Sequence, residues 1–185
     1  MRKVKFTNWW DSRKAEQSID SALAKMDLFN KTRYGRRKII DETLLIEAAK
    51  DAHENGLVYY SLIFENVTPY CYLEINKDYF NINFLDGYSR KYMSYAFHGK
   101  IYNELYGDKL FLSSITFWEF EGSTDKMLVI TDHIFKPDGT FLTIERDLVS
   151  NEQINSEAKN KIDVTSNWED YPEFGQYDSI IRKER

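Results

Sequence analysis

The spacing of hydrophobic residues predicts two amphipathic helices in the first third of the chain. Apolar positions recur at intervals of three and four residues over 15–26 and again over 44–52, which is the repeat of a helix with one buried side. Asp11 or Ser12 is placed to cap the first helix. The second is predicted to begin at Asp41, whose carboxylate can accept hydrogen bonds from the free amides of the first turn.

The middle of the chain predicts a β-sheet, because the hydrophobic repeat falls to two residues after the Asn-Gly pair at 55–56. Segments rich in β-branched and aromatic residues alternate with short turns, of which Lys-Pro-Asp-Gly at 136–139 is the clearest. Such turns are too short for parallel crossovers, so we expect a single antiparallel, largely meander sheet of about six to seven strands. The predicted strands are 57–65, 70–76, 79–85, 90–98, 111–121, 126–135 and 140–148.

The remaining segments predict one more helix and an extended tail. Ser150 and Gln153 have the spacing of a capping box, and apolar residues follow from Ile154 at intervals of four. A helical turn is expected in the linker 99–108. The fold class is therefore α+β in a single domain, with the N-terminal helices packed on one face of the sheet. Its parts are a helical region 1–56, the sheet 57–148, and a short C-terminal helix with an acidic, aromatic tail at 149–185.

Alternation along the strands divides the sheet into a core face and a polar face. The expected core face carries Cys71, Leu73, Ile75, Phe80, Ile82, Phe84, Met93, Tyr95, Phe97, Leu128, Ile130, Ile134, Leu142, Ile144 and Leu148. The expected polar face carries Glu119, Glu121, Thr131, His133, Thr143, Glu145 and Asp147, with Tyr70, Tyr72, Glu74, Asn81, Asn83, Tyr92 and His98. Tyrosines among carboxylates are typical of a polar binding surface with aromatic anchors, and equally of a solvated sheet face.

Composition and charge narrow the class of partner. The 185 residues are 42% hydrophobic and carry a net charge of −5, but residues 1–40 hold eleven Lys/Arg against four Asp/Glu. The acidic remainder would attract basic surfaces and repel nucleic acid, although ordinary solubility explains it as well. The basic connector 32–38 is interpreted as a solvated loop. We therefore expect neither a nucleic-acid nor a membrane partner.

The sequence contains no recognisable cofactor or metal motif. Cys71 is the single cysteine, and the three histidines stand far apart, so neither a disulfide nor a metal site is expected. No signal peptide or membrane span is recognised, which makes the cytoplasm the expected compartment. No glycine-rich phosphate loop or nucleophile elbow occurs, and no cofactor is expected.

One region could assemble general acid–base pairs. Asp132 and His133 lie on a strand beside the strands that carry Glu119, Glu121, Glu145 and Asp147. Carboxylates two residues apart on a strand are about 6.5–7 Å apart, a separation that glycosidases also use. The same spacing arises on any acidic strand face. We therefore predict a protein that is not an enzyme, with a small hydrolase or lyase at Asp132, His133 and Glu145 as the alternative.

A resemblance to a known class of proteins indicates which kind of partner the protein binds. The stretch SITFWEFEGSTDKMLVITDHIFKPDGTFLTIERDL (Ser114–Leu148) and the tail NWEDYPEFGQYD (Asn167–Asp178) resemble immunity proteins of bacterial polymorphic-toxin and contact-dependent growth inhibition systems. The resemblance implies a protein that binds a cognate basic toxin domain, often a nuclease, and blocks its active site. A phage or accessory adaptor is compatible with the same pattern. The expected partner-binding residues are Trp118, Glu119, Glu121, His133, Glu145, Asp147, Tyr70 and Tyr72.

Overall fold

The computed structural model of the protein describes residues 2–99 and 109–184, and it consists mostly of antiparallel sheet with two α-helices. The helices are α1 (Ile19–Asn30) and α2 (Glu42–Glu54). The strands are β1 (Arg2–Lys5), β2 (Trp9–Trp10), β3 (Ala15–Glu16), β4 (Tyr59–Glu65), β5 (Thr68–Asn76), β6 (Tyr79–Leu85), β7 (Lys91–His98), β8 (Lys109–Phe120), β9 (Met127–Phe135), β10 (Phe141–Asp147), β11 (Glu152–Glu157) and β12 (Trp168–Asp170). The helical turn expected in the linker falls mainly on 100–108, outside the described residues.

The two helices begin at capping side chains, one of which the sequence located. Asp41 caps α2, since its carboxylate accepts a hydrogen bond of 2.9 Å from the amide of Leu44. The predicted cap of α1 is wrong. Ser18 caps that helix, while Asp11 and Ser12 lie in a short 3-10 turn between β2 and β3. The hydrophobic repeat extends one turn too far toward the N-terminus because Ala15 belongs to a strand.

All seven predicted strands are present, but the sheet is larger than predicted. Over the described residues it has ten strands, in the order β1-β4-β5-β6-β7-β8-β9-β10-β11, with β12 paired to the start of β8. From β4 to β11 the order in the sheet follows the order in the chain, as expected for a meander. The additional strands are β1, β11 and β12, which lie outside the region of continuous alternation that the sequence shows.

The predicted short C-terminal helix is wrong, because β11 occupies that part of the chain. A turn with Asn151 in the left-handed conformation, at φ 60°, returns the chain along β10. β11 then pairs antiparallel with β10, from Asp147 opposite Glu152 to Leu142 opposite Glu157. The capping-box spacing is therefore overridden by backbone hydrogen bonding to an adjacent strand, which no local pattern reveals.

The buried core lies on β4–β7 and includes nine residues of the predicted core face. Apolar residues of α1 and α2, such as Leu23 and Leu45, belong to the same cluster. The C-terminal tail, 171–184, contributes Tyr177, Ile180 and Ile181, which are at most 2% exposed. The core residues that the sequence assigned correctly are Cys71, Leu73, Ile75, Phe80, Ile82, Phe84, Met93, Tyr95 and Phe97.

A buried chain of hydroxyl groups attaches the tail to the sheet and to α2. The hydroxyls of Tyr177 and Tyr59 lie 3.2 Å apart, and Ser61 donates to Tyr177 at 3.4 Å. The Nδ1 atom of His53 lies 2.9 Å from the hydroxyl of Tyr59. Burial lowers the pKa of His53 because the imidazolium would lose its hydration there, so the ring is held neutral at neutral pH.

This depressed pKa predicts a loss of stability in weak acid. The unfolded chain takes up a proton on His53 near pH 6.5 and the folded chain only at lower pH, so stability is full above about pH 6.5 and falls below it. We expect the His53→Gln variant to lose less stability between pH 7 and pH 5 than the wild type, measured by urea unfolding. The matched comparison is His133→Gln, at another histidine whose pKa is lowered by burial. Equal pH slopes for wild type and His53→Gln would contradict the prediction.

Candidate partner-binding surface

The second half of the sheet lacks the buried residues that the first half contains. The outer sheet, as we call Ser114–Phe120 of β8 together with β9, β10 and β11, contains no buried residue. Every residue of β9 is partly exposed, whichever face it occupies, and all six residues of β11 are exposed. Both faces of the outer sheet are therefore accessible to a partner.

Strand register defines the first of these faces. Met93 of the core face pairs with Phe117, which pairs with Thr131, which pairs with Glu145. The same face of the sheet thus runs from the buried core into the outer sheet. We call this part the acidic face, and on β8, β9 and β10 it carries Phe117, Glu119, Thr131, His133, Thr143, Glu145 and Asp147 together with the apolar residues Ile115, Val129, Phe135 and Phe141.

The opposite side of the outer sheet is what we call the apolar face, which carries Thr116, Asp132 and Arg146 as well as the apolar residues Trp118, Ile130, Ile134, Leu142 and Ile144. The prediction that the last four share the core face with Cys71 and Leu73 is wrong. The same prediction is wrong for Leu128, which lies on the same face of β9 as Ile130. Leu148 lies beyond the end of β10 and is 42% exposed. Alternation shows which residues of one strand share a face, but only the pairing of Met93 with Phe117 decides how the two halves of the sheet are matched.

His133 is held at the centre of the acidic face. Its Nδ1 atom lies 3.0 Å from the hydroxyl of Thr143, directly across on β10. Its ring stacks on Phe141, with centroids 5.7 Å apart, and meets the ring of Phe117 edge-on at 5.8 Å. Burial among these rings lowers the pKa of His133. The site is therefore an aromatic surface with a neutral imidazole.

Two exposed carboxylates flank this aromatic centre. Glu119 and Glu145 make no ion pair within the described part of the chain. Asp147 accepts hydrogen bonds from the amides of Ser150 and Val149, which lower its pKa and give it a role in the turn. Glu121 lies past the end of β8 and pairs with Lys126 at 3.0 Å. On β8, β9 and β10, the free negative charge of the acidic face is thus that of Glu119 and Glu145.

Asp132 and His133 lie on opposite faces of the sheet. The carboxylate of Asp132 accepts hydrogen bonds from Thr116 at 2.7 Å and from Arg146 at 2.6 Å, on the apolar face. His133 and Glu145 lie on the acidic face. The acid–base arrangement of Asp132, His133 and Glu145 that the sequence suggested does not form in this structure.

The remaining predicted contact residues lie apart from the acidic face. Trp118 is on the apolar face, where the ammonium of Lys91 lies 4.3 Å from its ring centroid. Tyr70 and Tyr72 are each only 8% exposed, so the prediction that they are exposed anchors is wrong. Tyr70 donates to the carbonyl of Ile181 at 3.0 Å, and burial raises its pKa to about 12. Tyr72 donates to the carboxylate of Asp11.

Sequence reasoning missed the apolar face and β11. The apolar face was assigned to the core because its side chains are hydrophobic, and β11 was assigned to a helix. The signal that could have pointed to β11 is the run Glu-Gln-Ile-Asn-Ser-Glu at 152–157, which is too polar for a buried helix.

Comparisons with known proteins identify no relative. No protein family model, curated protein or solved structure matches the chain. Among the described residues, no three His, Cys, Asp or Glu side chains are grouped to hold a metal ion. None of the helices in that part of the chain is long and apolar enough to cross a membrane.

Proposed function

We propose that the protein is an immunity protein, which neutralises a cognate basic toxin domain by binding it through the acidic face of the outer sheet. One observation carries the proposal: no residue of the outer sheet is buried, although both of its faces bear aromatic and aliphatic side chains. Aromatic and aliphatic side chains that remain partly exposed on a sheet are typical of interaction sites. The resemblance of Ser114–Leu148 to immunity proteins supplies the class of partner.

The chemistry of the acidic face suits a basic partner. Phe117, His133 and Phe141 form an aromatic centre in which a partner side chain can be desolvated, and such contacts slow dissociation. Glu119 and Glu145 lie at its margin without ion pairs in the described structure. Unpaired carboxylates at the rim of an interface steer a cationic partner and raise the association rate.

The hydrolase or lyase alternative has less support. It needs Asp132 and His133 to act on one substrate, whereas the sheet separates their side chains. Asp132 is also engaged by Arg146 and Thr116, which leaves its carboxylate no free role as a base.

The proposal predicts toxin binding that depends on the acidic face. The test uses the toxin domain encoded next to the gene of this protein, and measures growth on co-expression and the kinetics of complex formation. We expect a 1:1 complex and restored growth for the wild type. Glu145→Lys should reduce the association rate about tenfold, because a steering charge is reversed.

Glu54→Lys is the matched control, because Glu54 is an exposed carboxylate on α2 and its reversal changes the net charge equally. Its association rate should stay within about twofold of the wild type. A wild-type protein that neither binds the toxin domain nor restores growth would overturn the proposed function. Equal effects of the two reversals would show that net charge alone matters and would remove the acidic face from the interface.

A further inference from the structure

The sheet ends in an open edge at β11. This strand is the last in the strand order, and its six residues are all exposed. The other end of the sheet differs, because the charged side chains of β1 form ion pairs with other segments of the chain. Arg2 lies 3.8 Å from Glu65, and Lys5 forms an ion pair with Glu16.

The register shows which backbone groups of β11 point outward. The amide of Ala158 donates to the carbonyl of Phe141 at 3.0 Å, so this pair is bonded across to β10. In an antiparallel ladder the bonded pairs alternate, so Ser156 and Ile154 also face β10. Gln153, Asn155 and Glu157 therefore direct their N–H and C=O groups away from the sheet, which is the arrangement that an added strand requires.

The side chains of β11 protect this edge by negative charge alone. Natural edges commonly carry lysine or proline, and β11 has neither. Glu152 and Glu157 make no ion pair within residues 2–99 and 109–184. Its charge is thus entirely negative and uncompensated by the described chain.

This charge selects the kind of strand that fits. In a second copy of the chain, antiparallel pairing must set outward residues opposite one another, so a register centred on Asn155 would place Gln153 of one copy opposite Glu157 of the other. Such pairing gives the carboxylates of Glu152 and Glu157 no cation on the added strand, so it gains nothing from their charge. A strand with lysine or arginine opposite Glu152 and Glu157 would instead gain two favourable cross-strand pairs.

We propose that the outer edge of β11 accepts a basic extended segment of the toxin domain as an additional strand of the sheet. The inference rests on the proposed function and names its mode of binding. The added strand would lie beside the acidic face, so that Glu119 and Glu145 steer the partner while β11 supplies backbone hydrogen bonds.

The test is Asn155→Pro, with Asn155→Thr as its matched control. Proline removes the outward N–H of residue 155 without removing a hydrogen bond to β10, and threonine keeps that N–H in a residue that favours strands. We expect Asn155→Pro to weaken toxin binding about tenfold or more and Asn155→Thr to stay within about twofold of the wild type. Equal midpoints of thermal unfolding would show that both variants are folded.

Hydrogen exchange on the wild-type complex tests the same edge without a substitution. The amides of Gln153 and Glu157 should exchange about tenfold or more slowly in the complex than in the free protein, because they become bonded to the added strand. If the wild type binds the toxin domain but these amides are unprotected and Asn155→Pro binds as tightly, strand addition is overturned and the proposed function stands. If the wild type does not bind at all, both fall.

Discussion

Replacement of Ile181 by alanine is expected to lower the free energy of unfolding by about 3 kcal/mol. Ile181 is 1% exposed and belongs to the core cluster, although it lies in the tail beyond the last strand. The substitution leaves a cavity between the tail and the sheet, and a buried apolar side chain loses both its transfer free energy and its packing. The measurement is equilibrium unfolding in urea.

Ile154→Ala is the matched control for this prediction, since it removes the same atoms from β11, where Ile154 is 59% exposed. Its effect should stay below about 0.5 kcal/mol. Limited proteolysis adds a second readout, because Ile181→Ala should make the tail more susceptible to cleavage. Equal losses of stability for the two variants would contradict the assignment of the tail to the core.

Arg90→Ala is expected to cost about 2 kcal/mol, because Arg90 joins two hairpin turns. Its Nε donates to Asp86 at 2.8 Å, and its Nη1 donates to the carbonyls of Gly122 and Thr124. The guanidinium carbon also lies 4.4 Å from the ring centroid of Phe120. The arginine side chain is only 9% exposed, so its loss removes the donor to Oδ2 of Asp86 and to two carbonyls, while Oδ1 of Asp86 keeps its backbone donors.

The matched control is Lys126→Ala, which removes an exposed ion pair with Glu121 from the same turn of β8 and β9. An exposed pair of this kind should contribute less than about 0.5 kcal/mol. Arg90→Lys should recover only part of the stability, because an ammonium cannot reach the carboxylate and the carbonyls together. A loss equal to that of Lys126→Ala would contradict a joining role for Arg90.

The outer sheet shows what the hydrophobic pattern of the sequence alone does not predict. Period-two alternation correctly grouped Thr131 with His133 and, separately, Ile130 with Ile134. It could not show which group continues the core face, because a shift of one residue exchanges the two faces. The pairing of β7 with β8 contains such a shift between Ala96 and Phe97. This shift depends on contacts between the strands.

The candidate site was predicted in part. Glu119, His133, Glu145 and Asp147 do share one face, as their spacing indicated. Tyr70 and Tyr72 were placed beside them, and both are buried instead, one under the tail and one against the 3-10 turn. Their burial depends on segments more than 60 residues distant in the chain, which no local period reports.

The sequence by itself determined the elements that a local signal marks: the α2 cap at Asp41, the seven central strands and the turns between them. Each follows from a side chain or a period within a few residues. Tertiary structure alone decided that 152–157 becomes an edge strand, that the tail completes the core, and that the second half of the sheet remains uncovered. These outcomes depend on which distant surface is available to pack against, and that is a property of the assembled fold.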